Sequence, residues 1–280
     1  MNKSGLLLIS VCMLLTACGE PSSPAAPTPP VTQITDLEEH ATTEELSVGE
    51  EPEQQPDTEQ AQPAEQTAER TYFMNRNYMI VPKEDAERKV VLLTFDDGPK
   101  EAELLTAILD TLDKHAAKAI FFVNGYRVKQ HPELLKLIHE RGQTIGNHAW
   151  DHVNLKKLKP EEADRQIEDV QRIVEELTGE KPTFFRPPFG AGNDHVKKKA
   201  AEEGMLYMTW SNGSQDWVKG YDKPEKVVES VMEQLHPGSN ILMHELPWTA
   251  EGLDDLLTRL SEKGYGFVDP ALIDPDYSKN

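Results

Sequence analysis

Two adjacent carboxylates, Asp96 and Asp97, stand where the apolar run Val90–Phe95 breaks into the turn Gly98-Pro99. A strand feeding straight into a turn presents its last side chains at its C-terminal end, the rim on which α/β folds build their sites. Successive strand side chains point to opposite faces, so one Asp can hold a metal while the other handles a proton. Taken alone, Asp-Gly-Pro also suits a solvated loop capping a helix, here one expected over Lys100–His115. The remaining segments decide between these readings. His148-Ala149-Trp150-Asp151-His152 follows the short run Thr144–Asn147. As one helical turn, it places His148 and His152 on one face, within reach of a single ion. With a carboxylate from the strand end they make a two-His, one-carboxylate set with open positions for water and substrate.

Phe185-Arg186-Pro187-Pro188-Phe189-Gly190 is strand-like and ends in a rigid turn. Its Arg can grip a carboxylate bidentately, and its stiff Pro-Pro can aim backbone N–H groups at a developing oxyanion. Asp216-Trp217 and Ile241-Leu242-Met243-His244, an apolar strand delivering a His at its end, complete the set. Singly, each residue has a structural reading: a satisfied buried His, an ion-paired Arg, a core Trp.

In this order the five segments resemble the polysaccharide deacetylase family, the NodB-homology domain of carbohydrate esterase family four, over about residues 87–270. The resemblance implies Asp96 as general base and Asp97, His148 and His152 as ligands of a divalent metal. It makes Arg186 the group that orients the base, and His244 the general acid with Asp216 as partner. It puts Trp217 on the groove wall, Leu242 in the acetyl pocket and the Phe189 N–H at the oxyanion. Ala149 departs from the family's usual Ser or Thr, which removes a support without removing a ligand. Gly213 departs from a usual Asp. Zinc suits such a ligand set, as do cobalt and nickel.

The implied reaction is hydrolysis of N-acetyl groups on an N-acetylglucosamine-containing glycan, with peptidoglycan foremost. Alternatives are an O-acetyl esterase, a deacetylase of chitin oligomers or another secreted polysaccharide, and a catalytically silent glycan-binding lipoprotein. The complete set of acid, base and ligand residues argues against the last.

The 280 residues carry a formal charge of −20 and 38% hydrophobic content, unevenly spread, and one folded domain is expected. Lys3, the apolar stretch Leu6–Leu15 and Leu15-Thr16-Ala17-Cys18 read as a signal peptide over residues 1–18, too short to span a bilayer. Its end resembles a bacterial lipobox, which would leave Cys18 as the lipid-bearing first residue and no disulfide, since Cys12 departs with the signal. Residues 19–70 hold no aromatic residue, thirteen acidic residues and one basic residue, about −12 of the charge. That composition predicts a disordered, Pro-rich tether. The catalytic domain is expected over 71–280, as a monomer outside the cell, anchored to the bacterial membrane by lipid only and facing the wall. No basic patch calls for nucleic acid, and Lys197-Lys198-Lys199 reads as a solvated helix face.

To position these groups, Val90–Phe95, Ala119–Val123, Thr144–Asn147, Thr183–Arg186, Leu206–Trp210, Asn240–His244 and Gly266–Val268 read as short buried strands. Helices fall between them with clear punctuation: His131–Arg141 has Pro132 in its first turn and Gly142 just past its end, and Pro160–Thr178 has Pro160 first and Gly179 after. Alternating strands and helices predict a parallel sheet covered by helices. About seven such units are too few for an eightfold barrel, and the resemblance implies a distorted, incomplete (β/α) barrel.

Overall fold

A computed structural model describes residues 69–84 and 86–276. The expected signal peptide, Cys18 and the expected tether up to residue 68 lie outside the described residues. Among the described residues, no helix is long and apolar enough to cross a membrane.

Two short strands, β1 (Tyr72–Met74) and β2 (Ile80–Pro82), come first. The main sheet follows with β3 (Val90–Gly98), β4 (Ala119–Val123), β5 (Thr144–Asn147) and β6 (Phe184–Phe185). It continues with β7 (Leu206–Tyr207), β8 (Asn212–Gly213), β9 (Ser239–His244) and β10 (Gly266–Phe267). A last strand, β11 (Ile273–Asp274), pairs with β1 and so joins the small sheet β11-β1-β2.

The main sheet is parallel and runs in the order β7-β6-β5-β4-β3-β9-β8, with β10 beside the start of β3. β7 and β8 are the two ends of this order, yet only residues 208–211 separate them in the chain. The sheet therefore curls back on itself into the incomplete barrel. β8 is additional to the seven expected strands: two residues, Asn-Gly, carry no periodic signal. The runs Thr183–Arg186 and Leu206–Trp210 shrink to two-residue strands.

Helices cover the outside: α1 (Ala102–Lys114), α2 (Gly125–Gln130), α3 (Pro132–Glu140), α4 (Pro160–Thr178), α5 (Asp194–Glu202), α6 (Pro224–Glu233) and α7 (Pro247–Glu262). In α4 the stripe Ala163, Ile167, Val170 and Val174 is buried, and Gly179 closes the helix at φ 82°, a conformation glycine adopts without strain. On α5, Lys199 is drawn in against Glu168 and Glu203 and is not solvated as the Lys197-Lys198-Lys199 run implied.

Alternation along β3 sorts its residues between two layers. Val91, Leu93 and Phe95 pack outward with Leu105 and Ile108 of α1 and Leu256 and Leu257 of α7. Val90 and Leu92 pack inward with Ile120, Phe122, Phe184 and Met208, and Tyr72, Ile80 and Ile273 of the small sheet join them. The period-two pleat sends Thr94 and Asp96 the same inward way, to the barrel's C-terminal rim.

Candidate active site

Asp96 lies inside the rim, 3% exposed, and its Oδ1 accepts a 2.6 Å hydrogen bond from Arg186 Nη1. Arg186 is fully buried, with its guanidinium 4.3 Å above the Phe122 ring. It also donates to Thr94 Oγ1 at 2.9 Å, to Asn240 Oδ1 at 3.2 Å and, through Nη2, to the Thr209 carbonyl at 2.9 Å. A guanidinium so tied cannot swing, so it fixes the carboxylate that it pairs with.

Strict pleating would send Asp97 outward. Instead φ is +66° at Asp97 and the β3–β4 register shifts between Asp96 and Gly98, a bulge that turns the side chain back over the rim. Asp97 Oδ1 then sits 3.1 Å from His152 Nε2 and 3.4 Å from His148 Nε2, while Asp96 Oδ2 is 3.7 Å from the same His148 nitrogen. The two carboxylates do not point apart as alternation implies; both face His148.

The expected helical turn at His148 and His152 is absent. The segment after β5 is a loop in which Ala149 and His152 hold φ of 62° and 52°. Two asparagines pin it. Asn147 Oδ1 accepts the Ala149 N–H at 2.9 Å, and Asn124 Nδ2 donates to the His148 carbonyl at 2.8 Å. Ala149 itself is fully buried, so the loop is held without a hydroxyl at that position. His148 Nδ1–H donates to the Arg186 carbonyl at 2.6 Å, which leaves Nε2 as the lone-pair nitrogen facing Asp97.

Asp97 Oδ1 is buried and makes no protein hydrogen bond, and it and one nitrogen each of His148 and His152 lie within 4.8 Å of one another. An orphaned carboxylate oxygen beside two imidazole nitrogens is the donor set of a divalent cation. Burial opposes charge on Asp97, but the nearby imidazoles of His148, His244 and His152 outweigh it and hold the carboxyl well below the usual range. Burial keeps His152 below its ordinary value against the pull of Asp97, so the neutral, ligating ring is favoured.

At the end of β9, His244 Nδ1 meets Asp216 Oδ1 at 2.7 Å. Asp216 Oδ2 accepts the His244 N–H and the Thr249 hydroxyl, each at 2.7 Å, so the carboxylate is fully engaged. Burial works against a charged His244 ring, yet the Asp216 hydrogen bond and charge, with Asp96 and Asp97 behind them, raise its pKa above the ordinary value. Asp96, Asp97, His148, His152 and His244 open onto one cavity of about 400 Å³. Leu242 lies on its wall beside Trp210 and Trp217. Trp217 meets the His244 ring edge-on at 5.2 Å, and Phe189, 64% exposed, meets His152 in the same way at 4.6 Å. No hydrogen bond to the Phe189 N–H forms among the described residues. At Gly213 a Cβ would sit 3.4 Å from the Trp217 ring, and the Gly213 backbone is clasped by Gln234.

The site thus brings together Asp96, Asp97, His148, His152, Arg186, Phe189, Asp216, Trp217, Leu242 and His244 from the five segments. The residues missed are those behind them, and the chief one is Glu245. It is 1% exposed, takes the Lys100 N–H on Oε2 at 3.0 Å and leaves Oε1 buried without a partner. A Cβ at position 98 would lie 1.8 Å from that oxygen, so any residue but glycine there would displace the Glu245 carboxylate. Burial pushes the Glu245 carboxyl up to about 7. Its signal, a carboxylate just past an apolar strand, is the one that marks Asp96.

A sequence model of the polysaccharide deacetylase family matches residues 83–208. The chain is 39% identical over 193 residues to peptidoglycan-N-acetylmuramic acid deacetylase PdaC of Bacillus subtilis, covering 67% of this chain and 40% of that protein. It is 40% identical over 190 residues to peptidoglycan-N-acetylglucosamine deacetylase PgdA of Listeria monocytogenes, covering 67% and 39%. It therefore spans about two fifths of the length of these curated relatives. The solved structure of peptidoglycan deacetylase PdaC matches with a TM-score of 0.60 at 37% identity over 65% of this chain and 88% of that one. A pseudoenzyme of carbohydrate esterase family four from Bacillus anthracis matches with a TM-score of 0.62 at 34% identity over 66% of each.

Proposed function

The chain belongs to the polysaccharide deacetylase family, and on that footing we propose that it removes N-acetyl groups from an N-acetylglucosamine-containing glycan, with peptidoglycan as the substrate. A pseudoenzyme shares this fold, so activity rests on the groups in the cavity and not on the barrel. The observation that carries the proposal is one cavity holding an Arg-anchored Asp96, an Asp-anchored His244 and the Asp97–His148–His152 donor set.

Asp97, His148 and His152 would hold a divalent ion, with zinc favoured by availability and cobalt or nickel also suited. Bound there, such an ion supplies Lewis acidity to a water and to the acetyl oxygen. Asp96 takes the proton from the attacking water, and Arg186 keeps its carboxylate aimed while that happens. The oxyanion meets the Phe189 N–H, a contact of the kind that contributes about 3 kcal/mol. Asp216 holds His244 in the tautomer and charge state that returns a proton to the departing amine. The water's hydroxyl thus ends on the acetyl carbon and the His244 proton on the amine, leaving Asp96 protonated and His244 neutral, and transfer of that proton from Asp96 to His244 through solvent restores both groups. Leu242 and Trp217 would shape the acetyl pocket and the groove wall.

The decisive assay measures acetate released from peptidoglycan, chitooligosaccharide and acetylxylan, with and without chelator. Release from the N-acetyl substrates, lost with chelator and restored by zinc, is expected. Release from acetylxylan alone would make the chain an O-acetyl esterase, and none from any substrate with metal present would make it a silent binder. The leader complements this reading: anchored at Cys18 on an acidic tether, with a catalytic domain over 71–280, the enzyme would face the wall from the membrane. Cys18→Ser should move the protein from the membrane fraction to the medium.

A further inference from the structure

A second lobe of about 400 Å³ adjoins the first and shares Asp97, Trp217 and His244 with it, so these residues stand between two halves of one groove. The second half is built differently. Trp248, fixed by an indole N–H bond of 2.9 Å to the Asp216 carbonyl, and the 47% exposed Trp217 give it aromatic faces of the kind on which sugar rings pack. Lys100 lines the same lobe. Its ammonium makes no hydrogen bond or ion pair among the described residues, although acids surround it.

Those acids are committed elsewhere. Asp97 faces His148 and His152, Asp216 serves His244 and Thr249, and Glu245 spends Oε2 on the Lys100 backbone N–H. Burial lowers the Lys100 pKa, against the pull of Asp97 and Glu245. A half-dehydrated cation without a partner is unfavourable unless a ligand supplies the anion. At the exposed edge of the lobe Lys219 is accompanied by Asp222, so the charge that the lobe offers an anion is that of Lys100.

We infer that this lobe is a subsite for a glycan unit bearing a carboxylate substituent, held through Lys100 and packed on Trp217 and Trp248, beside the unit whose acetamide enters the first lobe. The inference rests on the deacetylase reading for what occupies the first lobe. It deepens that reading by requiring an acidic sugar next to the one attacked.

The test is calorimetric titration of the zinc-loaded full chain with two disaccharides that differ by one lactyl ether, N-acetylglucosaminyl-N-acetylmuramic acid and N,N′-diacetylchitobiose. Wild type should bind the acidic one about tenfold more tightly, the scale of one charge-assisted hydrogen bond. That preference should shrink as salt rises. Lys100→Met and Lys100→Gln, each checked for native circular dichroism, should bring the affinity ratio close to one, whereas Lys100→Arg should keep it. No preference in wild type, a preference indifferent to salt, or a preference surviving in a folded Lys100→Met or Lys100→Gln protein overturns the inference. Acetate release is followed in parallel. Turnover without the preference removes the subsite alone, and the preference without turnover on any substrate removes the deacetylase reading alone.

Discussion

The body of the barrel and its C-terminal rim obey different rules. In the body, Val91, Leu92 and Leu93 are wholly buried, apolar and regular, and the pleat alone decides which layer each one joins. At the rim, Asp96, His148, Arg186, Asp216 and Glu245 are as deeply buried but polar or charged. The backbone changes too: Asp97, Ala149, His152, Phe189 and Gln215 all hold positive φ without being glycine, against Tyr78 and Ala116 elsewhere among the described residues. Left-handed non-glycine backbone and buried charge both oppose folding and persist only where the surroundings hold them. Stability therefore resides in the body and chemistry in the rim. Substitutions in the two should separate activity from stability.

The largest separation is expected at the donor set. His148→Ala or His152→Ala should lose bound zinc and at least about a hundredfold in acetate release, while the thermal midpoint without metal hardly moves. Stoichiometric zinc with normal turnover in either variant would break the comparison at its functional end. In the body the opposite is expected. Leu92→Ala, in the inner apolar cluster, should cost about 2–5 kcal/mol by denaturant titration yet keep turnover below its melting temperature.

Glu245 sharpens the comparison because there the rim works against stability. Burial lifts its pKa from 4.5 to about 7, so between those values the folded chain binds more protons than the unfolded one. The stability tied to the neutral carboxyl is complete below pH 4.5 and is lost as pH rises through about 7. Glu245→Gln keeps an acceptor for the Lys100 N–H and stays neutral. It should flatten that slope and exceed wild type at pH 8 by about 1–3 kcal/mol. Denaturation curves from pH 4 to 8 check this, and parallel slopes for both proteins would show that Glu245 is not buried as a charge.

What was legible beforehand follows the same division. Asp96, Arg186 and His244 stand at the ends of apolar runs, and a run that stops on a polar residue announces a strand end whatever the tertiary fold. The long helix α4 announced itself through Pro160 at its start and its Gly179 stop. The departures lie where local rules are overridden. Asp97 follows a bulge that the pleat does not contain, and His152 sits in a left-handed loop stabilised by Asn124 and Asn147 from other positions in the chain. β8 and the small sheet are two or three residues long, below the length at which alternation is readable. Glu245 and Lys100 acquire meaning only once β3 and β9 lie side by side. Which carboxylate does which task came from the family resemblance, not from spacing.

That division of labour between neighbouring carboxylates is the centre of the account, and one measurement reaches it directly: zinc content and acetate release of Asp96→Asn and Asp97→Asn across a metal titration. Asp96→Asn should keep stoichiometric zinc, because Asp97, His148 and His152 remain, yet lose about 10²–10⁴-fold in turnover, since an amide cannot accept the water's proton. Asp97→Asn should bind zinc weakly and recover part of its turnover as metal is raised. If Asp96→Asn loses the metal while Asp97→Asn holds it, the two roles are exchanged and the reading of the rim is wrong.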